Sequence, residues 1–111
     1  MGVTKTNLFT DEQNAFAQMG KIFAHPARVA ILQYLVKANA CINSDLVREL
    51  GLAQATISQH LRELKAIGII QGTVEGASMN YCINPVKWKE MKALFDQFFD
   101  QHPCCLDENC C

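Results

Sequence analysis

Residues 45–74 read DLVRELGLAQATISQHLRELKAIGIIQGTV, and this stretch decides the fold. Its second half carries apolar side chains at three- and four-residue intervals, which is the spacing of one helix face: Ile57, Leu61 and Leu64. We therefore expect a helix over about 54–67 that ends at Gly68. A shorter helix over about 46–50 precedes it, and residues 51–53 form the tight turn between the two.

The flanking segments extend this helix pair in both directions. Four further elements are predicted: a helix over about 10–24, a helix over about 26–38, a hairpin of residues 69–74 and 79–83, and a helix over about 85–101. Thr10 and Gln13 have the spacing of a capping box, Pro26 suits the first turn of a helix, and Pro103 bars continuation of the last one. The expected fold is mainly α (α+β), a winged helix-turn-helix with five helices and a β-hairpin wing.

The chain has 111 residues, of which 50% are apolar and 19% charged, and this composition suits one globular domain. The formal net charge of −1 hides a split, because residues 96–111 hold acidic but no basic side chains and leave the body mildly basic. No apolar run is long enough to cross a bilayer, and residues 1–5 lack the pattern of a secretion signal. We therefore expect a cytoplasmic protein that does not enter a membrane.

The face of helix 54–67 opposite its apolar stripe is polar, slender and cationic. A recognition helix needs such a face, because short polar side chains reach base edges in the major groove and basic ones reach phosphates. The candidate DNA-binding residues are Gln54, Thr56, Ser58, Gln59, Arg62 and Lys65. Of these, Arg62 and Lys65 suit phosphates and the others suit bases. The alternative is an amphipathic surface helix whose polar face only meets water.

Two stretches, HPARVAIL at 25–32 and DLVRELGLAQATISQHLRELKAIGII at 45–70, resemble the ArsR/SmtB family of bacterial metal-responsive repressors. The resemblance covers about residues 10–101. It implies a homodimer joined through the first and last helices, binding of double-stranded operator DNA by helix 54–67 and the wing, and release when a metal or metalloid binds.

The first and last helices also carry more aromatic surface than so small a domain can cover alone, which independently indicates a two-fold interface. The candidate interface residues are Phe16, Met19, Phe23, Trp88, Met91, Phe95 and Phe98. The alternative is burial of these side chains in the core of one subunit.

This chain departs from the family pattern at two places. The family usually has Ser, a good helix cap, where this chain has Ala53. The family also has basic residues in the wing, where this chain has small or uncharged ones: Gly72, Thr73, Val74, Ala77 and Ser78. We therefore expect weak phosphate anchoring by the wing and a shallow salt dependence of operator binding.

Sensor positions used elsewhere in the family lack ligands here, since Ile42 and Ser44 stand at the site on the third helix and the last helix ends with only His102. What remains is a cysteine-rich tail over 104–111, which we expect to bind a metal or metalloid behind a DNA-binding and dimerisation domain over 1–103. Its thiols are Cys104, Cys105, Cys110 and Cys111.

The tail thiols suit soft ions. Three thiolates form the pyramid that As(III) or Sb(III) prefers, for which we favour Cys104, Cys105 and Cys111, whereas all four would suit tetrahedral Zn²⁺ or Cd²⁺. A tail without a ligand is the alternative. Cys41 and Cys82 are expected to pack as small core or wing residues, with Cys41 joining the site from the partner subunit as the alternative.

Other interpretations of the cysteines remain. We expect neither an enzyme nor a small organic substrate, because the thiols next to His102 lie in a tail that has no core to hold a catalytic geometry. A redox switch through Cys105 and Cys110 is the stronger alternative to metal sensing. Lipid anchoring at Gly2 or Cys111 is disfavoured, because an anionic membrane surface would repel the acidic tail.

Overall fold

The computed structural model describes residues 8–42, 46–75 and 79–101. The elements in this part of the chain are α1 (Asp11–Gly20), a 3-10 turn (Lys21–Phe23), α2 (Pro26–Ala38), α3 (Leu46–Leu50), α4 (Gln54–Ile67), β1 (Ile70–Thr73), β2 (Asn80–Ile83) and α5 (Pro85–Asp100). The predicted mainly α fold with five helices and a hairpin is confirmed. The tail over 104–111 lies outside the described residues.

The first helix differs from the prediction at its end. It begins with the expected capping box, in which the Gln13 amide donates to Thr10 Oγ1 at 3.0 Å and the Thr10 amide donates to Gln13 Oε1 at 2.9 Å. It ends at Gly20, and residues 21–23 form a 3-10 turn. Met19, near the end of α1, and Ile22, in the 3-10 turn, both reach the core.

The bounds of α2 and α4 match the sequence prediction, and left-handed residues end both helices. Asn39, with φ 51°, donates its amide to the carbonyls of the last turn of α2, and Gly68, with φ 96°, does the same for α4. Ala53 precedes α4 and gives it no side-chain cap. The backbone amide groups in the first turn of α4 therefore have no side-chain cap, and they point out of the N-terminal end of the helix.

The apolar stripe of α4 lies at the centre of the core. Ile57 is 2% exposed, and Leu61 and Leu64 are fully buried. Around the stripe pack side chains from every other helix and from the hairpin: Met19, Ile22, Ile31, Leu32, Leu35, Leu46, Ile69, Ile70, Val74, Tyr81 and Met91. Burial of this stripe turns the opposite face of α4 outward, as predicted.

The sheet has a third, very short member that the sequence analysis did not predict. Strands β1 and β2 pair antiparallel with Ile70 opposite Ile83. On the other edge of β2, Ile42 and Tyr81 exchange both backbone hydrogen bonds, at 2.8 and 3.0 Å. The loop after α2 is thus joined to the base of the wing.

Cys41 and Cys82 face each other across this third pairing and form a disulfide, with Cα atoms 4.2 Å apart. Cys41 is exposed and Cys82 is half-buried. The sequence analysis expected both to pack as small core or wing residues: Cys82 does lie in the wing, but Cys41 is exposed, and the bond between them was not predicted. The physical reason is strand register, because pairing of residue 42 with residue 81 places residue 41 opposite residue 82.

Gly72 provides a test of the wing geometry. Its φ is 108°, and a Cβ atom on it would collide with the carbonyl oxygen of Asn80 on the partner strand. We expect Gly72→Ala to lower the free energy of unfolding by about 1–3 kcal/mol, as measured by chemical denaturation. Gly20→Ala is the matched control, since Gly20 has a helical φ of −59° and nothing within 4 Å of the added carbon. Equal stability of the two variants would contradict the described hairpin.

Candidate nucleic-acid interface

The outward face of α4 carries all of the side chains predicted to contact DNA. Five are exposed, namely Gln54, Thr56, Gln59, Arg62 and Lys65, and Ser58 is half-buried. The polar residues of the first two turns lie nearest the uncapped start of the helix. This placement fits a helix that presents its N-terminal half to base edges and its later turns to the backbone of a duplex.

The polar side chains of this face are partly paired with one another. Gln54 Nε2 donates to Ser58 Oγ at 3.0 Å, and Arg62 Nη2 donates to Gln59 Oε1 at 2.8 Å. Both bonds are exposed and local, so water or a ligand can replace them at little cost. These hydrogen bonds hold the side chains along α4 and leave them able to exchange partners.

Glu75 is a part of this surface that sequence reasoning missed. Its Oε1 atom lies 3.3 Å from Arg62 Nη1, so an ion pair joins α4 to the wing. Both side chains are exposed, at 45% for Arg62 and 61% for Glu75, so the pair adds little stability. The negative charge of Glu75 matters more than the stability of the pair, because it lies beside Arg62, the arginine that was predicted to bind phosphate. Only the hairpin geometry brings the two together.

A groove of about 400 Å³ runs between α4 and the wing. The residues lining it are Arg62, Lys65, Ala66, Thr73, Val74 and Glu75. It holds two basic side chains from α4 and one acidic side chain from the wing. The wing residues Thr73 and Val74 contribute no positive charge to it, as expected from the sequence.

Behind the outward face, the buried side chain of Arg28 fixes the position of α4. Arg28 is 6% exposed. Its Nε donates to His60 Nδ1 at 3.1 Å, its Nη1 donates to the Lys21 carbonyl at 2.9 Å, and its Nη2 forms an ion pair with Glu63. One guanidinium group therefore ties α2, the 3-10 turn and α4 together. The sequence analysis included Arg28 in a motif but assigned it no structural role.

The pKa of His60 is lowered from its ordinary value, first by burial, then by the positive charge of Arg28 and by His25. The charge of Glu63 opposes these effects. The ring of His25 lies 5.4 Å from that of His60, measured between centroids. Neutral His60 is what the structure requires, because Nδ1 accepts a hydrogen bond from Arg28 and a protonated ring nitrogen could not.

The predicted interface residues divide into three groups by exposure. Met19 and Met91 are buried in the chain's own core. Phe16, Trp88 and Phe95 are half-buried, whereas Phe23 and Phe98 are exposed at 42% and 53%. Phe99, which was not predicted, is 67% exposed and lies edge-on to Phe98. The surface left for a partner is therefore aromatic and lies along α1, the 3-10 turn and α5.

The predicted metal ligands Cys104, Cys105, Cys110 and Cys111 lie outside the described residues. Within 8–42, 46–75 and 79–101, no three His, Cys, Asp or Glu side chains come together as a metal site. None of the helices in those same ranges is both long and apolar enough to span a membrane.

Acid should destabilise the protein through His60. Because its pKa is lowered by folding, the unfolded chain binds more protons below about pH 6.5, and the free energy of unfolding falls as the pH drops through this range. We expect His60→Gln, which keeps a hydrogen-bond acceptor for Arg28, to reduce this loss in denaturation curves between about pH 7.5 and pH 5. His25→Gln is the comparison variant: it leaves His60 to titrate and should keep most of the loss, because burial and Arg28 are larger causes of the lowered pKa than His25. An unchanged acid response in His60→Gln would contradict the assignment.

The sequence is similar to one protein family and to several named regulators of transcription. The family described as "Bacterial regulatory protein, arsR family" matches residues 25–71, which run from the start of α2 into β1. A protein of Methanocaldococcus jannaschii named as an uncharacterized HTH-type transcriptional regulator, MJ1325, is 35% identical over 81 residues, covering 73% of this chain and 91% of the relative.

Two mycobacterial relatives match over a shorter part. The HTH-type transcriptional regulator CmtR of Mycobacterium tuberculosis is 32% identical over 71 residues, 64% of this chain and 59% of the relative. The HTH-type transcriptional repressor SmtB of the same organism is 34% identical over 68 residues, 61% of this chain and 50% of the relative. The chain thus spans half to about three-fifths of the length of these relatives.

The names of these relatives describe regulators of transcription and not enzymes, in agreement with the sequence analysis. The matched region contains α2, α3 and α4, whose geometry is that of a helix-turn-helix followed by a wing. The ArsR/SmtB resemblance is confirmed, and the chain belongs to the arsR family of bacterial regulatory proteins.

Proposed function

We propose that this protein is a transcriptional repressor that binds double-stranded operator DNA as a homodimer and leaves it when a thiophilic ion binds the tail cysteines. The observation that carries the DNA-binding part is the exposed polar face of α4 with a wing beside it. Repression, as distinct from activation, is supported by the name of the related repressor SmtB.

The proposed contacts follow the order of residues along α4. Gln54, Thr56 and Gln59 reach base edges, where a Gln amide can form two hydrogen bonds with adenine. Lys65 and Arg62 reach phosphates on the side of the wing. Arg62 must exchange Glu75 for a phosphate on binding, because one guanidinium edge now meets that carboxylate. The wing in this proposal anchors weakly, since its described residues add no positive charge.

The proposed dimer uses the aromatic surface of α1, the 3-10 turn and α5. The ring centroids of Phe16 and Phe98 are 4.4 Å apart, and those of Phe23 and Phe95 are 5.7 Å apart. Phe98 and Phe99 extend this cluster into solvent. A two-fold contact there would cover the exposed rings and present two α4 helices to half-sites about 34 Å apart on one face of a duplex.

The proposed inducer is As(III) or Sb(III), held by Cys104, Cys105 and Cys111, with Zn²⁺ or Cd²⁺ on all four tail thiols as the other candidate. Soft thiolates grouped within eight residues support a thiophilic ion of either kind. The tail follows α5, which carries part of the proposed dimer surface. Ligand binding there can therefore alter the spacing of the two recognition helices.

Redox sensing is a second candidate function, and the observation that favours it is the disulfide between Cys41 and Cys82. This pair differs from the tail pair considered in the sequence analysis. It lies at the base of the wing, where β2 pairs with β1 and with Ile42.

Charge substitutions around the groove should shift DNA affinity in opposite directions. We expect Arg62→Ala to weaken binding and to reduce the slope of log affinity against log salt by about one, because one phosphate contact is lost. Glu75→Gln should strengthen binding, because Arg62 is released from its carboxylate. Fluorescence anisotropy of the reduced protein on the DNA upstream of its own gene measures both effects.

The control for those variants is Lys37→Ala in the last turn of α2. Lys37 is exposed and belongs neither to α4 nor to the proposed dimer surface, so this change removes one positive charge away from both. It should leave affinity nearly unchanged. If the control weakened DNA binding as much as Arg62→Ala does, the loss would be explained by net charge alone, which would contradict a specific role for α4.

Replacement of all four tail cysteines by Ser should separate binding from induction. We expect the variant to bind operator DNA as the native protein does but to lose its release by arsenite, which in the native protein should weaken binding by roughly 5- to 150-fold. The measurement is the same anisotropy titration with arsenite, and separately with Zn²⁺ and Cd²⁺. Release that persists in the variant would show that the inducer binds elsewhere.

A further inference from the structure

The pairing of Cys41 with Cys82 is a product of strand register. Ile42 and Tyr81 exchange both of their backbone hydrogen bonds, so the next pair outward is a non-hydrogen-bonded pair, in which antiparallel strands approach most closely. The two Cα atoms are 4.2 Å apart there, and the side chains leave the strands on one face. The backbone therefore brings these sulfur atoms together whether or not they are bonded.

The bond joins two parts of the proposed DNA-binding unit. Cys41 lies in the loop that leads from α2 towards α3, and Cys82 lies in β2. The segment that the bond closes includes α3, α4 and β1. Formation of the disulfide therefore fixes the loop ahead of the helix-turn-helix to the strand that carries the wing.

Small molecules can reach these sulfur atoms. Cys41 is exposed, Cys82 is half-buried, and both line an open pocket of about 440 Å³ beside Trp88 and Lys89. The pocket is largely apolar, and Gln71 Nε2 lies 3.8 Å from Cys82 Sγ as a weak hydrogen-bond donor. The thiolate is the form of cysteine that attacks a disulfide. Exposed disulfides of this kind are the ones that thiols reduce and reform.

We propose that Cys41 and Cys82 are a reversible dithiol–disulfide site that low-molecular-weight disulfides oxidise, and that oxidation locks the wing to the loop ahead of α3. The Cys41 thiolate attacks one sulfur of the small disulfide, forming a mixed disulfide and releasing one small thiolate. The Cys82 thiolate then attacks Cys41 Sγ, closing the protein disulfide and releasing the second small thiolate. Two electrons pass from the protein to the small disulfide, and the two protein protons go to the released thiolates.

The first test uses the full chain with Ser at Cys104, Cys105, Cys110 and Cys111, so that only the proposed pair can react. The protein is equilibrated in buffers with different ratios of reduced to oxidised glutathione, the remaining thiols are alkylated, and peptides are analysed by mass spectrometry. We expect a Cys41–Cys82 cross-linked peptide that replaces two alkylated cysteines as the buffer becomes oxidising and disappears again on reduction. Two alkylated thiols in every buffer, or glutathione adducts without the cross-link, would overturn the proposal.

The fluorescence of Trp88 is an independent measure of disulfide formation, because Trp88 is the single Trp of the chain and lines the same pocket as the two cysteines. Its fluorescence should shift with the glutathione ratio in step with the cross-link. In the same background, Cys41→Ser and Cys82→Ser each remove the pair and should abolish the shift. A shift that persists in both variants would mean that Trp88 responds to something else, against the proposal.

The mechanical consequence is tested by hydrogen exchange at the Ile42 and Tyr81 amides, which donate across the third strand pairing. Oxidation should slow exchange at both amides relative to the reduced protein, whereas the double variant Cys41→Ser, Cys82→Ser should show no difference between the two buffers. Equal exchange in oxidised and reduced protein would overturn the claim that the bond locks the wing.

A last measurement, of operator affinity in the two redox states, rests on the proposed DNA-binding function. A locked wing loses less conformational freedom on binding, so the oxidised protein should bind operator DNA more tightly, by about 5-fold or more. Equal or weaker binding would overturn this consequence. Absence of DNA binding in both redox states would instead count against the proposed function, because the mass-spectrometric and exchange measurements do not involve DNA.

Discussion

The geometry of the candidate interface depends on one buried charge, the guanidinium group of Arg28. The apolar stripe of α4 supplies burial, but an apolar contact alone allows a helix to slide or rotate by small amounts. Arg28 removes this freedom, because its three nitrogen atoms meet His60 and Glu63 on α4 and the Lys21 carbonyl in the 3-10 turn. A buried cation that lost these partners would cost several kcal/mol, so α4 has one acceptable position. The outward direction of Gln54 to Lys65 follows from that position.

The wing is positioned by a different kind of constraint. Strand β2 has a partner on each edge, β1 on one side and Ile42 on the other, and Tyr81 from the same strand is buried at 1% exposure. The base of the wing is therefore part of the core. The Arg62–Glu75 ion pair lies further out and is solvated, so it orients the wing towards α4 only weakly. The described part of the wing is thus fixed at its base by backbone pairing and is held only weakly against α4 at Glu75.

Local patterns in the sequence were enough to predict the elements and their order, and the bounds of α2 and α4 in particular. Apolar spacing, Pro26 and Gly68 act within one or two turns and need no knowledge of distant residues. Contacts between distant parts of the chain were not predictable in this way. The pairing of Cys41 with Cys82 depends on the register of a strand that consists of one bridge, and the pairing of Arg62 with Glu75 depends on how a hairpin folds back over a helix. The candidate interface residues were predicted as a group, but only packing distinguished the buried Met19 and Met91 from the exposed Phe98.

The bridge between Ile42 and Tyr81 also bears on the order in which the chain assembles. The helices and the β1–β2 hairpin are built from contacts between near neighbours, and such contacts form early because they close short loops. The bridge closes a much longer loop, which can form only after α3 and α4 have compacted the chain between its ends. We therefore expect α4 to form before this edge of the sheet is complete.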